Sequence, residues 1–487
     1  MRGASANTLQ NRAGIAPLLL TTLFAAAAIV WVAPRLARGS YRELITAAVL
    51  FQSVWIFLRW RASVYAFMVY IVVEGFLVNY FVGFAELNLI KDLFVGLLFL
   101  VLAGILVARG IFPIPRIGWL LPFAAFAVVY LGEVFNPHLP NLLVGLVGVR
   151  TTLLYFLLVP VAYWFFDARE RVLRFFVFMA VVSVPVAVFG IVQYFKGPEW
   201  MLEMSPGFKP AVFYAYGLNP RLETMYFRTF STFVQTGGFS AYLVFVMLIT
   251  LALWAIPRMR FHRPWIAALF VLLFLAQLTT GGRSPMVFFL IAVAFWIFVQ
   301  RAPLRLTPLL ILLPVLLLGT VSLVGEGFVE RYASVLDLDY VSGRNMPLIT
   351  GWLKESMNTE WAGLGAGYAS VAARHVGPTP LNMNVVENGL AKVRFEAGLP
   401  GMILFVFFVL AMGFHCVRQA VRVRDPQLRW FTTACAAFIL VNLFSVPMGT
   451  PFDVSPTNTY IWFFAGFLAR APLLEDTPPG HDQGLNN

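Results

Sequence analysis

Charge is scarce in this sequence. Of 487 residues only 12% are Asp, Glu, Lys or Arg, about half the share usual in a soluble domain, while 60% are hydrophobic and the mean hydropathy is +0.80. That excludes a water-soluble globular protein and points to a polytopic membrane protein. Cysteine is scarcer still. Cys416 and Cys435 both lie in apolar segments, so neither a disulfide framework nor a thiolate metal site is expected. The five histidines, His138, His262, His375, His415 and His481, are scattered without ligand spacing, and no metal or other cofactor is expected. No Walker motif is present. The net charge of +12 comes mostly from Arg in short connections, a pattern of membrane topology rather than of a nucleic-acid surface.

What is abundant is the apolar run of spanning length. Such runs fall at 15–34, 43–58, 64–84, 89–108, 117–133, 152–166, 171–195, 236–256, 264–280, 285–300, 305–324, 397–416, 430–446 and 458–469. The fold class expected is therefore all-α, a polytopic bundle of about 12–14 transmembrane helices. The first run follows Arg2 and Arg12 and reads as an uncleaved helix rather than a signal peptide, because it is long and more spans follow. The chain divides into N-terminal transmembrane helices (1–195), a first long loop (196–235), central helices (236–324), a large loop (325–396), C-terminal helices (397–470) and a disordered tail (471–487).

Arg-rich short connections set the orientation: Arg169, Arg171 and Arg174; Arg258, Arg260 and Arg263; Arg301 and Arg305; and Arg418, Arg422, Arg424 and Arg429. With these inside, the two long loops, the turn 281–284 and the segment 447–457 gather on the outer face. A 14-helix count puts Arg35, Arg38 and Arg42 outside, against the rule, so the C-terminal two thirds carry the orientation. In the large loop, Asn345 to Trp361 spaces Leu348, Trp352 and Met357 as an amphipathic helix would.

Four clusters on that face have residue types suited to chemistry. Thr279-Thr280-Gly281-Gly282-Arg283-Ser284-Pro285 is a tight turn that sets a guanidinium at the start of a helix, with Ser284 or a neighbour as the cap. An Arg at membrane depth is costly and suits an anionic ligand; the bland reading is an Arg snorkelling to lipid phosphate. Arg228, within Tyr226-Phe227-Arg228-Thr229-Phe230-Ser231-Thr232-Phe233, suits a sugar or phosphate site at the bilayer edge, or equally an anchor in an aromatic belt. Arg344, in Val341-Ser342-Gly343-Arg344-Asn345, is an anion-site candidate or a solvated loop residue. The last is the stretch Glu387 to Gly401, where Glu387, Asn388, Lys392, Arg394 and Glu396 lead into an apolar helix. Either carboxylate could serve as a general base or simply favour a helix start. Gly363-Leu364-Gly365-Ala366-Gly367 lacks a preceding strand, so it reads as flexible turn backbone rather than a phosphate loop.

The order of these motifs, Arg-Thr-Phe-Ser-Thr-Phe, the Gly-Arg-Ser turn, a long loop with Gly-Arg and Gly-Leu-Gly-Ala-Gly, then Glu-Asn and Glu-Ala-Gly-Leu-Pro-Gly, resembles the O-antigen ligase and polysaccharide polymerase family of bacterial inner membranes. The resemblance covers roughly residues 225–410. It implies a membrane glycosyltransferase that takes glycans from undecaprenyl diphosphate at the periplasmic face. Arg283 matches the family's Ser-Arg-Ser-Gly-like turn and Arg344 its loop arginine, both on the diphosphate. Asn388, Glu396, Gly398 and Gly401 match the His-Asn to Glu-x-Gly-x-x-Gly pattern.

Glu387 stands where lipid A ligases have His, which favours a polymerase over a ligase. The resemblance then assigns Glu387, Arg283 and Arg344 to catalysis and Arg228, Asn388, Arg394 and Glu396 to substrate binding. The implied partners are the undecaprenyl diphosphate-linked glycan, the lipid bilayer, a chain-length regulator and polysaccharide export proteins, with no nucleic acid. A lipid-linked oligosaccharide flippase or transporter is the competing class, although two related halves would be its usual mark.

Overall fold

The computed structural model describes residues 41–81, 87–218, 225–301, 342–343, 346–370, 372–376 and 386–475. The runs expected at 15–34 and 305–324, and Arg344, lie outside these residues. Among the described residues, nine helices are long and apolar enough to cross a membrane. The fold is an all-α polytopic membrane bundle; among the described residues its strands are those of one short hairpin.

In chain order the helices are α1 (Tyr41–Tyr80), α2 (Leu87–Val107), α3 (Leu120–Gly132), α4 (Leu142–Leu153), α5 (Leu158–Phe165), α6 (Arg169–Met204) and α7 (Lys209–Ala215). The hairpin of β1 (Tyr216–Leu218) and β2 (Met225–Phe227) pairs Gly217 with Tyr226. There follow α8 (Thr236–Ala255), α9 (Arg263–Thr279), α10 (Arg283–Gln300), α11 (Trp352–Met357), α12 (Gly389–Arg422), α13 (Pro426–Phe444) and α14 (Thr457–Arg470). The chain forms two compact units, Met1–Ser63 and Val64–Asn487. In the first, the described residues are helical with Leu50, Val54, Phe57 and Leu58 exposed, as lipid-facing side chains are.

Several boundaries differ from the apolar runs. The run expected at 152–166 is the second half of a continuous span, Leu142–Phe165, since Gly145, Gly148, Arg150 and the two threonines after it dilute the hydropathy of the first half. Two helices are longer than their runs and broken inside, α6 at Gly197 and α12 at Gly398, and α1 covers most of the two runs expected at 43–58 and 64–84, with its break at Arg59. The amphipathic segment is helical over Pro347–Gly351, as a π-helix, and on through Trp352–Met357. Of the tail expected at 471–487, residues 476–487 lie outside the described residues. Ala471–Leu474 form a 3-10 turn, and Arg169 donates to the carbonyls of Leu474 and Glu475.

Without a hydrophobic drive between helices in lipid, close packing and internal polar pairs must hold the bundle. The many Phe residues supply the packing. Phe176 stacks on Phe431 at 4.4 Å, Phe245 on Phe464 at 4.6 Å, and Phe123 on Phe156 at 4.5 Å. At the crossing of α5 and α14, a Cβ on Gly466 would meet the Val159 carbonyl at 2.2 Å, so only glycine allows that approach. Two ion pairs join spanning helices: Glu74 with Lys91 at 2.7 Å, and Asp92 with Arg150 at 2.5 Å.

The bundle's two ends differ in chemistry. At one end Arg169 pairs with Asp425, and Arg429 donates to the Val299 carbonyl, so the Arg-rich connections meet there. At the other end the Thr229 hydroxyl meets that of Thr279 at 2.8 Å, Gly389 N–H donates to the Gly449 carbonyl at 3.1 Å, and the Ser455 hydroxyl donates to Glu74. The starts of α8, α10 and α12 therefore share an end with the segment joining α13 to α14.

Candidate functional site

Arg283 is placed by a braced turn. Thr280 Oγ1 donates to the Gln277 carbonyl at 2.7 Å and accepts from Gly282 N–H at 3.1 Å, while Gln277 Nε2 donates to Ser240 on α8 at 2.6 Å. Gly281 takes a φ of 57°, which glycine adopts without steric cost, and the chain turns at once into α10. Gly282 occupies the cap position and Arg283 is the first helical residue. Of the expected caps, Ser284 or a neighbour, it is thus Gly282 that caps, and Ser284 lies inside the helix. Because the turn is tied to α8, the Arg283 backbone is fixed relative to that neighbour.

Glu387 immediately precedes α12. Asn388 caps that helix, its Oδ1 accepting from the N–H groups of Leu390 and Ala391, both at 3.0 Å, and its amide donates to the Ile349 carbonyl at 3.2 Å. Asn388, matched by the family resemblance to a substrate-binding position, thus fixes the backbone beside Glu387 from inside the fold.

Arg283 and Glu387 line one cavity of about 580 Å³, within the usual range for small-molecule sites. Its polar lining also includes Gln235, Ser284, Asn442, Ser445, Thr450 and Thr457. The rest is apolar: Ala241 and Val244 from α8, Val287, Phe288 and Ile291 from α10, and Phe438, Val441 and Phe444 from α13. From Arg283 to Ile291 the lining advances about two helical turns, ~12 Å along the span. A guanidinium and a carboxylate therefore stand at the helix starts, with apolar wall following into the membrane-spanning part. The arrangement suits an amphiphile with an anionic head and a long apolar chain.

The other sequence candidates are placed elsewhere. Arg228 donates to the carbonyls of Tyr214, at 2.9 Å, and Ala215, at 3.3 Å, and its own carbonyl accepts from Thr236 at 3.4 Å. It thus braces the start of α8 next to Gln235. Buried Arg394 donates to Thr359 Oγ1 at 3.1 Å and to the Glu360 carbonyl at 2.9 Å, tying α12 to the large loop. Buried Glu396 accepts from Tyr130 at 2.6 Å and Ala369 N–H at 3.2 Å, and its carboxylate lies 3.2 Å from Lys392. Arg228, Asn388, Arg394 and Glu396 are not among the lining residues of the cavity.

The glycine-rich stretch is not the flexible turn expected from its composition. Leu364 N–H donates to the Phe395 carbonyl at 2.7 Å, Gly365 N–H to the Glu396 carbonyl at 3.1 Å, and Leu399 N–H to the Trp361 carbonyl at 2.9 Å. The segment thus crosses α12 at its break and satisfies carbonyls that a continuous helix would satisfy itself. The crossing is backbone on backbone. A Cβ on Gly363 would lie 2.4 Å from Gly398 N, and one on Gly398 2.3 Å from the Trp361 carbonyl.

Sequence reasoning missed two residues of this region. Lys392 stood in a candidate stretch without a role, and Asp453 was not singled out. Lys392 Nζ lies 2.9 Å from Asp453 and 3.2 Å from Glu396. Its helical spacing to Glu396 was a usable signal; nothing local marks Asp453.

Among the described residues, no three His, Cys, Asp or Glu side chains gather in a group able to hold a metal ion. Compared with protein-family models the chain matches none, and comparison with curated proteins gives no match either.

Proposed function

We propose that this protein polymerises undecaprenyl diphosphate-linked oligosaccharide repeat units, at the periplasmic face of a bacterial inner membrane, by glycosyl transfer that needs no metal. One observation carries the reading: Arg283 and Glu387 share a cavity whose wall along the spans is mostly apolar. A lipid diphosphate has the complementary parts, an anionic head for the guanidinium and a hydrocarbon chain for the wall. The motif order over 225–410 supports the same substrate class.

In this reaction an acceptor sugar hydroxyl attacks the anomeric carbon of a lipid-linked glycan. The new C–O bond forms as the bond from that carbon to the diphosphate oxygen breaks, and the electron pair leaves with undecaprenyl diphosphate. Glu387 accepts the hydroxyl proton. Arg283, with Arg344 from the large loop, stabilises the charge gathering on the diphosphate by forked hydrogen bonds. The lipid diphosphate is itself the activated leaving group, so no nucleotide is required.

The test is transfer by purified protein in nanodiscs, supplied with undecaprenyl diphosphate repeat units and no nucleotide sugar or added divalent metal. A ladder of longer lipid-linked glycans is the expected result. Transfer of finished glycan to a different lipid or protein acceptor would make it a ligase. Movement of the lipid across liposomes without any new glycosidic bond would make it a flippase.

A further inference from the structure

The segment Ser445 to Pro456, between α13 and α14, is a strap along the cavity. It contributes Met448, Thr450, Pro451 and Val454 to the lining, yet its regular structure is a single 3-10 turn, Val446–Met448. Local backbone bonds alone leave such a segment free to shift. Apart from the Gly449 carbonyl, which accepts from Gly389 N–H at 3.1 Å, and buried Phe452, whose ring packs on Phe405, Phe408 and Trp462, two polar side-chain anchors hold it: the Ser455 hydroxyl donates to Glu74 at 3.3 Å, and Asp453 Oδ2 meets Lys392 Nζ at 2.9 Å. A second, small chamber of about 20 Å³ is lined by Thr152, Lys392 and Asp453 together with Thr450 and Pro451. Thr450 and Pro451 line both spaces, so the strap is the partition between them.

The charges around Lys392 do not balance locally. One ammonium, its side chain 5% exposed, faces Glu396 at 0% and Asp453 at 21%. Glu396 has other donors: Tyr130, which also accepts from Thr152 at 3.1 Å, and the Ala369 N–H. Lys392 makes its shorter contact with Asp453. Burying an ion pair costs several kcal/mol per ion before its attraction is counted, so such a pair is weak as a source of stability and serves better to fix one arrangement.

We propose that Lys392 is a positioning residue for the cavity: through Asp453 it fixes the strap, and so the place of Thr450 and Pro451 in the wall. Lys392 is not itself among the cavity's lining residues and acts only through the strap. The inference concerns the wall and stands whatever the cavity holds.

The test uses the full chain in nanodiscs with Thr450→Cys as reporter and a small maleimide as probe. The native thiols Cys416 and Cys435 are both buried and serve as internal controls for global loosening. Lys392→Met and Asp453→Asn should each raise the labelling rate at position 450 by roughly tenfold, the scale of losing one charge-assisted bond, while Lys392→Arg stays near the parent rate. Cys416 and Cys435 should remain unlabelled throughout. Should Lys392→Met fail to fold, Asp453→Asn, which keeps shape and removes a charge, carries the test. An unchanged rate at position 450 in the folded variants overturns the proposal, and so does labelling of Cys416 or Cys435 in step with it.

Discussion

Arg283 and Glu387, one opening α10 and the other just ahead of α12, line the same cavity. Neither helix start alone makes a site. Together they set a fixed positive charge and a carboxylate at the head of an apolar wall, and the predictions on function follow from that pairing.

Removing the guanidinium should remove the grip on an anionic head. Arg283→Ala is expected to accumulate in the membrane at parental level and to lose about 10- to 100-fold in affinity for undecaprenyl diphosphate, the range for a charge-assisted bond. Arg283→Lys, which keeps charge but not the fork, should fall between the two. Titration of the lipid into purified protein reads this out; parental affinity in Arg283→Ala would remove Arg283 from the binding role. Arg344→Ala is expected to act in the same direction.

A carboxylate acting as a base should matter for turnover more than for binding. Glu387→Gln is expected to lower the rate of chain extension by about 10²- to 10⁴-fold with lipid affinity nearly unchanged. Ladder formation under single-turnover conditions measures it. A parental rate would leave Glu387 as a wall residue without proton transfer.

The apolar wall should sense chain length. Ala241→Phe puts a ring into the cavity lining and is expected to weaken binding of a full-length polyprenyl diphosphate by roughly tenfold, about the cost of excluding two methylenes. A carrier with a much shorter chain should bind as before. Equal losses for both carriers would mean that the chain does not run along α8 and α10.

The break in α12 should tolerate nothing larger than glycine. Gly398 has a φ of 66°, and a Cβ there would lie 2.3 Å from the Trp361 carbonyl, so any side chain meets strain and overlap together. Gly398→Ala is expected to cost at least ~2 kcal/mol and to lower the unfolding temperature in detergent. An unaltered melting curve would show that the crossing of Trp361 to Gly367 over the helix can relax.

Glu74, which accepts from Ser455 on the strap, offers a test of stability rather than of binding. It is buried and held by Lys91 at 2.7 Å. Lys91→Met should destabilise by about 3–5 kcal/mol, because it leaves a buried carboxylate uncompensated, and adding Glu74→Gln should recover part of the loss. Thermal unfolding of the two variants checks this; no recovery in the double variant would assign the loss to packing.

Much of the bundle was legible because lipid imposes a one-dimensional rule: a span must be long and apolar, and hydropathy along the chain records it. Where the record failed, a specific side chain diluted it. The half-span before Thr152 was missed because Arg150 lowers the local hydropathy, and only the fold shows that Asp92 and the Asn88 carbonyl accept its donors. The glycine-rich stretch was misread because composition reports conformational freedom, whereas the packing of its backbone against α12 removes that freedom.

The sequence by itself determined that this is an α-helical membrane protein, which of its connections are rich in arginine, and that the turn 281–284 and the start of α12 hold polar residues unusual at membrane depth. Those are local properties, fixed by what each residue costs in lipid. Only the tertiary structure decided which polar residues face a shared space. Arg283 and Glu387 do so, while Arg394 and Glu396, a few positions further along the same helix, turn inward to Thr359 and Tyr130. Helical phase and the break at Gly398 set those directions, and both depend on neighbours brought from distant parts of the chain.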